Sequence, residues 1–289
     1  VRASAARSFG SRLRSAVRER SALCVGIDPH AATLAAWGLA RDEAGLTAFG
    51  ATLVDAAAGR AAIVKPQVAF FEAAGSAGYR ALEVTIRRAR DAGLLVVADA
   101  KRGDIGSTGD GYAEAWLDPA SPLASDAMTV SPYLGYGSLA GTVDLAAEHG
   151  AGVFVLAATS NQEARLLQTA IVAEGPRSGG SVAAGIVSDV ADDNRRLGGT
   201  DELGSVGLVL GATLDLADFG ITAAAIGTAP VLAPGFGAQG ARIEDLRARY
   251  GSVAEQVLVS ESRGLLVDGP DGVAGLVADR ADRIAAALA

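Results

Sequence analysis

The chain has 289 residues, of which 50% are hydrophobic and 20% charged, enough apolar side chain for a large core. Its formal net charge of -8 argues against a nucleic-acid surface or an anionic membrane as partner, so any anionic small molecule must be met by positive charge gathered locally. A single cysteine, Cys24, excludes an intramolecular disulfide and a multi-cysteine zinc site, and the two histidines, His30 and His149, form no paired metal-ligand pattern.

The opening of the chain is Arg/Ser-rich and amphipathic, without the apolar core of a signal peptide. It reads as a first helix covering the bottom of a barrel, in a cytoplasmic protein. No apolar run is long enough to span a membrane. Short apolar runs at 22–28, 61–67, 94–101, 127–132, 152–160, 207–213, 230–235 and 256–262 predict strands. Helical patterns lie between them, at 43–59, 76–92, 139–149, 241–250 and 273–288 among others. Strands alternating with helices mean a parallel sheet of βαβ units, and continuous apolar strands mean a sheet covered on both faces. Eight such units suggest a closed (β/α)8 TIM barrel, a single α/β domain over 1–289, rather than an open doubly wound sheet. No GxGxxG opens the first helix, which weighs against a dinucleotide fold. The turn-rich segment 174–181 is too long for a minimal connection and reads equally as a lid or as an ordinary insertion.

Polar groups gather at the C-terminal ends of the predicted strands: Asp28, Lys65 with Gln67, Asp99 with Lys101, Ser131, Thr159-Ser160-Asn161, and Ser262-Arg263. Helix capping explains one such residue but not so many, and in a barrel this edge carries the active site. The run Val96-Val97-Ala98-Asp99-Ala100-Lys101-Arg102-Gly103-Asp104 is the most telling. Strand alternation points Asp99 and Lys101 the same way, and Gly103 lets the chain turn so that Asp104 follows close by. A lysine between two carboxylates stays protonated, the arrangement needed for a proton donor aimed at a carbanion. A solvated ion pair at a strand end is the competing reading, and the buried run before it favours the catalytic one. Pro234-Gly235-Phe236-Gly237-Ala238-Gln239-Gly240 follows the seventh strand, where backbone N–H groups and the positive end of the next helix can hold an anion. Arg263, after the eighth strand, can fork onto two phosphate oxygens, so a phosphorylated substrate is expected.

Asp99-Ala100-Lys101-Arg102-Gly103-Asp104-Ile105 matches a DxKxxDI signature. With the segment from Ile63 to Glu72, Thr159-Ser160-Asn161, the Gln239 loop and Arg263 in the same order, the chain resembles the orotidine 5'-phosphate decarboxylase family, in its longer bacterial subgroup. The resemblance runs from about Val25 to Arg263. It implies cofactor-independent loss of CO2 from orotidine 5'-phosphate to give UMP in de novo pyrimidine biosynthesis, with Lys101 protonating C6 and Asp99 beside the departing carboxylate. It implies a homodimer with shared sites. In it Asp104 from the neighbouring subunit completes a Lys65–Asp99–Lys101–Asp104 network, and Thr108 reaches the ribose across the interface. Asp28 and Lys65 would touch the ribose, and Ser160 would meet the pyrimidine edge, with Thr159 and Asn161 as alternatives. Gln239 and Arg263, with Pro234 and Gly235, would hold the phosphate. No pyridoxal, thiamin or metal pattern is present, so no cofactor and no metal are expected. Glu261 departs from expectation by placing an acid near the anion-binding end. The site survives if that side chain points away from the lumen. A metal-dependent sugar-phosphate lyase of the same barrel type is the main rival, and Lys65 near the second strand end argues against a divalent cation there.

Overall fold

The computed structural model describes residues 7–198 and 203–289; the part of the Arg/Ser-rich opening before residue 7 lies outside them. Eight parallel strands close into a barrel in sequence order. They are β1 (Leu23–Ile27), β2 (Ile63–Pro66), β3 (Leu95–Arg102), β4 (Ala127–Val130), β5 (Gly152–Ala158), β6 (Val206–Leu210), β7 (Val231–Pro234) and β8 (Val257–Glu261). Each falls on one of the eight apolar runs, with β3 extending to Arg102 and β6 starting at Val206. The fold is the TIM barrel that the alternating pattern implied.

Side-chain alternation sorts each strand into two faces. Outward residues such as Val25, Val64, Val96 and Val153 pack with the surrounding helices into one large core. Inward residues Cys24, Ile63, Leu95, Val97, Ala127, Phe154, Val209, Leu232 and Leu258 fill the lower barrel as a second cluster. Helix Phe9–Glu19 closes this end with its buried stripe Phe9, Leu13 and Ala16. The Phe9 ring meets Phe154 edge-on at 5.9 Å and occupies the space where a Cβ at Gly152 would lie, 2.3 Å from its Cδ1. Arg12 fastens the same helix by pairing with Asp126 and donating to the Gly150 carbonyl at 2.9 Å. With the lower barrel apolar and plugged, polar chemistry is confined to the upper end.

One expected helix is corrected. The stretch 241–250 is a 3-10 turn, Ile243–Asp245, followed by a five-residue α-turn, Leu246–Tyr250. Ile243 and Leu246 are both buried, and their three-residue spacing is the one a 3-10 turn brings onto one face. The glycine-rich loop 234–240 is therefore not followed directly by a helix N-terminus, and the helix-dipole contribution expected there falls away. Segment 174–181 belongs to a pinned hairpin: Ile171 bridges Ser181, and Arg177 is ion-paired to Asp189 and Asp192 of helix Val182–Gly198. Among the described residues no helix is long and apolar enough to cross a membrane.

Candidate active site

A cavity of about 270 Å³ opens at the C-terminal ends of the strands. Its floor is the layer directly above the apolar plug, where inward positions turn from hydrocarbon to Lys65, Asp99 and Thr129. Lys65 and Asp99 are 7% and 8% exposed, so their charges can be kept only by pairing. Lys65 Nζ lies 2.7 Å from Asp99 Oδ2, and Lys101 Nζ lies 2.5 Å from Oδ1. Burial opposes ionisation of Asp99, but the two ammoniums outweigh it and hold the carboxyl well below the usual carboxylate range. Burial likewise works against the Lys65 charge, and Asp99 and Asp28 overcome it, holding the ammonium above the ordinary lysine range. Cys24 lies beneath this layer with its thiol pushed up to about 12 by burial, an inert core group as expected.

Asp99 and Lys101 do point the same way, but not by simple alternation. Between Ala98 and Arg102 the register of β3 against β4 shifts, and Lys101 adopts φ 50°, the one positive φ outside glycine among the described residues. A left-handed lysine is strained backbone and persists only where its neighbours hold it. Thr129, 1% exposed on β4, does so: its Oγ1 accepts the Lys101 N–H at 2.9 Å and donates to Asp99 Oδ1 at 2.9 Å. Arg102, on the other side, donates back to the Ala100 carbonyl at 3.1 Å and pairs with Glu72. Thr129 was absent from the residues expected by sequence, because its partners lie about thirty positions away and its own run reads as plain strand.

Asp28 lines the cavity with a buried Oδ1 that has no partner among the described residues, an acceptor waiting for a donor. Across the barrel from Asp99 and Lys101, the loops after β7 and β8 bring Pro234, Gly235, Gln239 and Arg263 to the cavity wall. Gly235 at φ 122° and Gly237 at φ 68° let the loop curl back on itself. Gly237, Gly240 and Ala241 spend their N–H groups within that loop. Arg263 is exposed at the rim and forms no ion pair among the described residues, so its guanidinium is available to an anion. Glu261 points outward to Arg280, 3.0 Å away, and not into the lumen. Of the other expected residues, Thr159 lines the cavity, whereas Ser160 is exposed outside its lining. Asp104 and Thr108 also lie outside it: Asp104 Oδ1 caps the N–H of Ile105 at 2.9 Å, and Thr108 is exposed on helix Gly106–Leu117. Segment 174–181 does not reach the cavity.

Fold and site together define an α/β-barrel enzyme with a buried charge cluster at one end of its pocket and a glycine-rich loop with Arg263 at the other. Residues 21–266 match the orotidine 5'-phosphate decarboxylase / HUMPS family, and the chain belongs to that family. It is 53% identical over 280 residues to orotidine 5'-phosphate decarboxylase of Streptomyces coelicolor, covering 96% of this chain and 95% of that one. A Streptomyces avermitilis protein provisionally assigned to the same activity has a crystal structure that matches at TM-score 0.89 and 47% identity, over 100% of this chain and 98% of that one. The OMP decarboxylase structure from Leishmania donovani matches at TM-score 0.73 and 31% identity, over 98% and 100% of the two chains. The chain is a decarboxylase.

Proposed function

We propose that this enzyme converts orotidine 5'-phosphate to UMP and CO2 in pyrimidine biosynthesis without a cofactor, with Lys101 as the proton donor. The observation that carries the reading is the Asp99 carboxylate held between two ammoniums on the cavity floor, facing an anion loop across the same cavity. In this reading Gln239, Arg263, Pro234 and Gly235 hold the phosphate, and Asp28 and Lys65 receive ribose hydroxyls. Thr159 is better placed than Ser160 to meet the pyrimidine. The substrate carboxylate is directed beside Asp99, in a region whose charges are already fixed. When the C6–CO2 bond breaks, its electron pair stays on C6, which has no conjugated sink. Lys101 Nζ then gives its proton to C6 and is reprotonated from solvent. Charge placed before the reaction, with no reorganisation left to do, is the source of stabilisation, and phosphate binding remote from C6 can supply the energy to order it. Asp104 and Thr108 enter the site of a second copy of the chain. Exposed apolar side chains in the loops after β3 and β4, Ile105, Tyr133 and Leu134, support that rim as the interface.

The test is to add orotidine 5'-phosphate to EDTA-treated enzyme and follow the loss of pyrimidine absorbance. Turnover is expected to survive chelation, and Lys101→Ala to abolish it while UMP still binds. Loss of activity on chelation, or near-normal turnover by Lys101→Ala, overturns the reading.

A further inference from the structure

Gln67 follows β2 and has no role in the machinery described so far, yet its position is fixed as firmly as that of the charged residues. Its N–H continues the sheet to the Ile27 carbonyl at 3.0 Å, past Pro66, and its backbone bridges that of Asp99 in parallel register. Neighbouring strand positions on one face bring side chains together, so the Gln67 amide is carried to the Asp99 carboxylate. With its nitrogen toward the carboxylate, the amide donates to Asp99 Oδ2 at 2.5 Å, and its oxygen accepts from Lys101 Nζ at 3.2 Å. The opposite orientation keeps one long bond, from Lys65 Nζ to Oε1 at 3.4 Å, but sets that oxygen against the Asp99 carboxylate and the NH2 against the Lys101 ammonium, so the surrounding charges decide the orientation.

We infer that Gln67 is a positioning residue for the reaction, a neutral clamp that holds the Asp99 carboxylate and the Lys101 ammonium in register with each other. Asp99 then receives four donors: Lys65, Lys101, Thr129 and Gln67. That fills the acceptor positions of a carboxylate and leaves it no freedom to rotate. Lys101, whose side chain is 46% exposed, gains a second anchor that carries no charge of its own. Neutrality matters, because another carboxylate here would add negative charge where the substrate carboxylate must sit.

The inference rests on the decarboxylation reading, and its test separates the two. Gln67→Leu keeps the volume and removes both bonds. It is expected to lower kcat by about 10- to 100-fold, the scale of a small misplacement of a reacting group, with KM for orotidine 5'-phosphate and UMP affinity nearly unchanged. Gln67→Glu is the sharper variant. Beside Asp99 the introduced carboxyl is held protonated to higher pH than usual. In that form it donates and accepts as the amide did. Its kcat is therefore expected to rise toward wild type as pH falls, a trend absent from the wild-type profile. In a crystal structure of Gln67→Leu, Lys101 Nζ is expected to leave its place on Asp99 Oδ1. Wild-type turnover by Gln67→Leu, or an unmoved Lys101, overturns the inference. An inactive wild-type enzyme overturns the decarboxylation reading alone, since the position of Lys101 still decides the role of Gln67.

Discussion

Glu261 lies between Ser260 and Ser262, two residues that face the cavity, so strand alternation sends its carboxylate outward toward helix Gly269–Leu288. There it is 2% exposed and paired with Arg280. Its Oε1 has no partner among the described residues and fills the space of the missing side chains at Gly237 and Gly264. Cβ atoms there would come within 2.4 and 2.0 Å of it. Gly237 belongs to the glycine-rich loop after β7 and Gly264 follows Arg263, so one buried ion pair braces from behind both segments proposed to hold the phosphate. A buried charge that loses its partner costs about 3–5 kcal/mol, whereas removing both charges is often close to neutral. Arg280→Ala should therefore lower stability in denaturant unfolding and raise KM. Adding Glu261→Gln to Arg280→Ala should recover most of both losses. A double variant no better than Arg280→Ala means that the two residues act independently.

At the scale of elements, the strands were legible because each is a short apolar run, most of them ending at a polar residue, and the barrel followed from their number and alternation. The acid–lysine motif at the end of β3 was legible for the same reason. Its geometry was not. The left-handed Lys101 is held by Thr129 and Arg102, and Thr129 is brought there only by strand pairing across about thirty residues. The neutral amide of Gln67 likewise acquires its meaning from the adjacent strand. The hairpin at 174–181 shows the reverse case, a composition that reads as a mobile turn but is fastened by side chains of the following helix. Arg177 donates to Asp189 at 2.9 Å and pairs with Asp192, while Ser181 Oγ donates to the Phe219 carbonyl at 2.5 Å. Arg177→Ala should release this hairpin and make it the first site of limited proteolysis, leaving kcat and KM within about twofold of wild type because the segment does not line the cavity. A large change in KM would instead make the segment a lid over the substrate.

The whole molecule divides into an end built for stability and an end built for chemistry. The lower barrel is sealed by Phe9 and its helix, and the charges of the active-site cavity, Asp28, Lys65, Asp99, Lys101 and Arg263, lie at the upper end. The rim of that end also exposes Ile105 at 62%, Tyr133 at 74% and Leu134 at 52%, in the loops after β3 and β4. Asp104 adjoins Ile105 and Thr108 lies on the helix that follows, both outside their own chain's cavity. An apolar surface of this kind, beside polar residues that the site lacks, is accounted for if a second copy covers it and receives them. Two-fold symmetry then makes a specific demand, since each interface patch is used once by each subunit. Lys101→Ala and Asp104→Ala subunits should each be inactive alone. In a mixed dimer one site collects both defects and the other collects neither. Equal mixing with free exchange should therefore restore about a quarter of wild-type activity, because half the dimers are mixed and each has one intact site. Native mass spectrometry of subunits made unequal in mass by a tag reports the exchange independently of activity. Mixed dimers that form and stay inactive would place Asp104 in the service of its own chain.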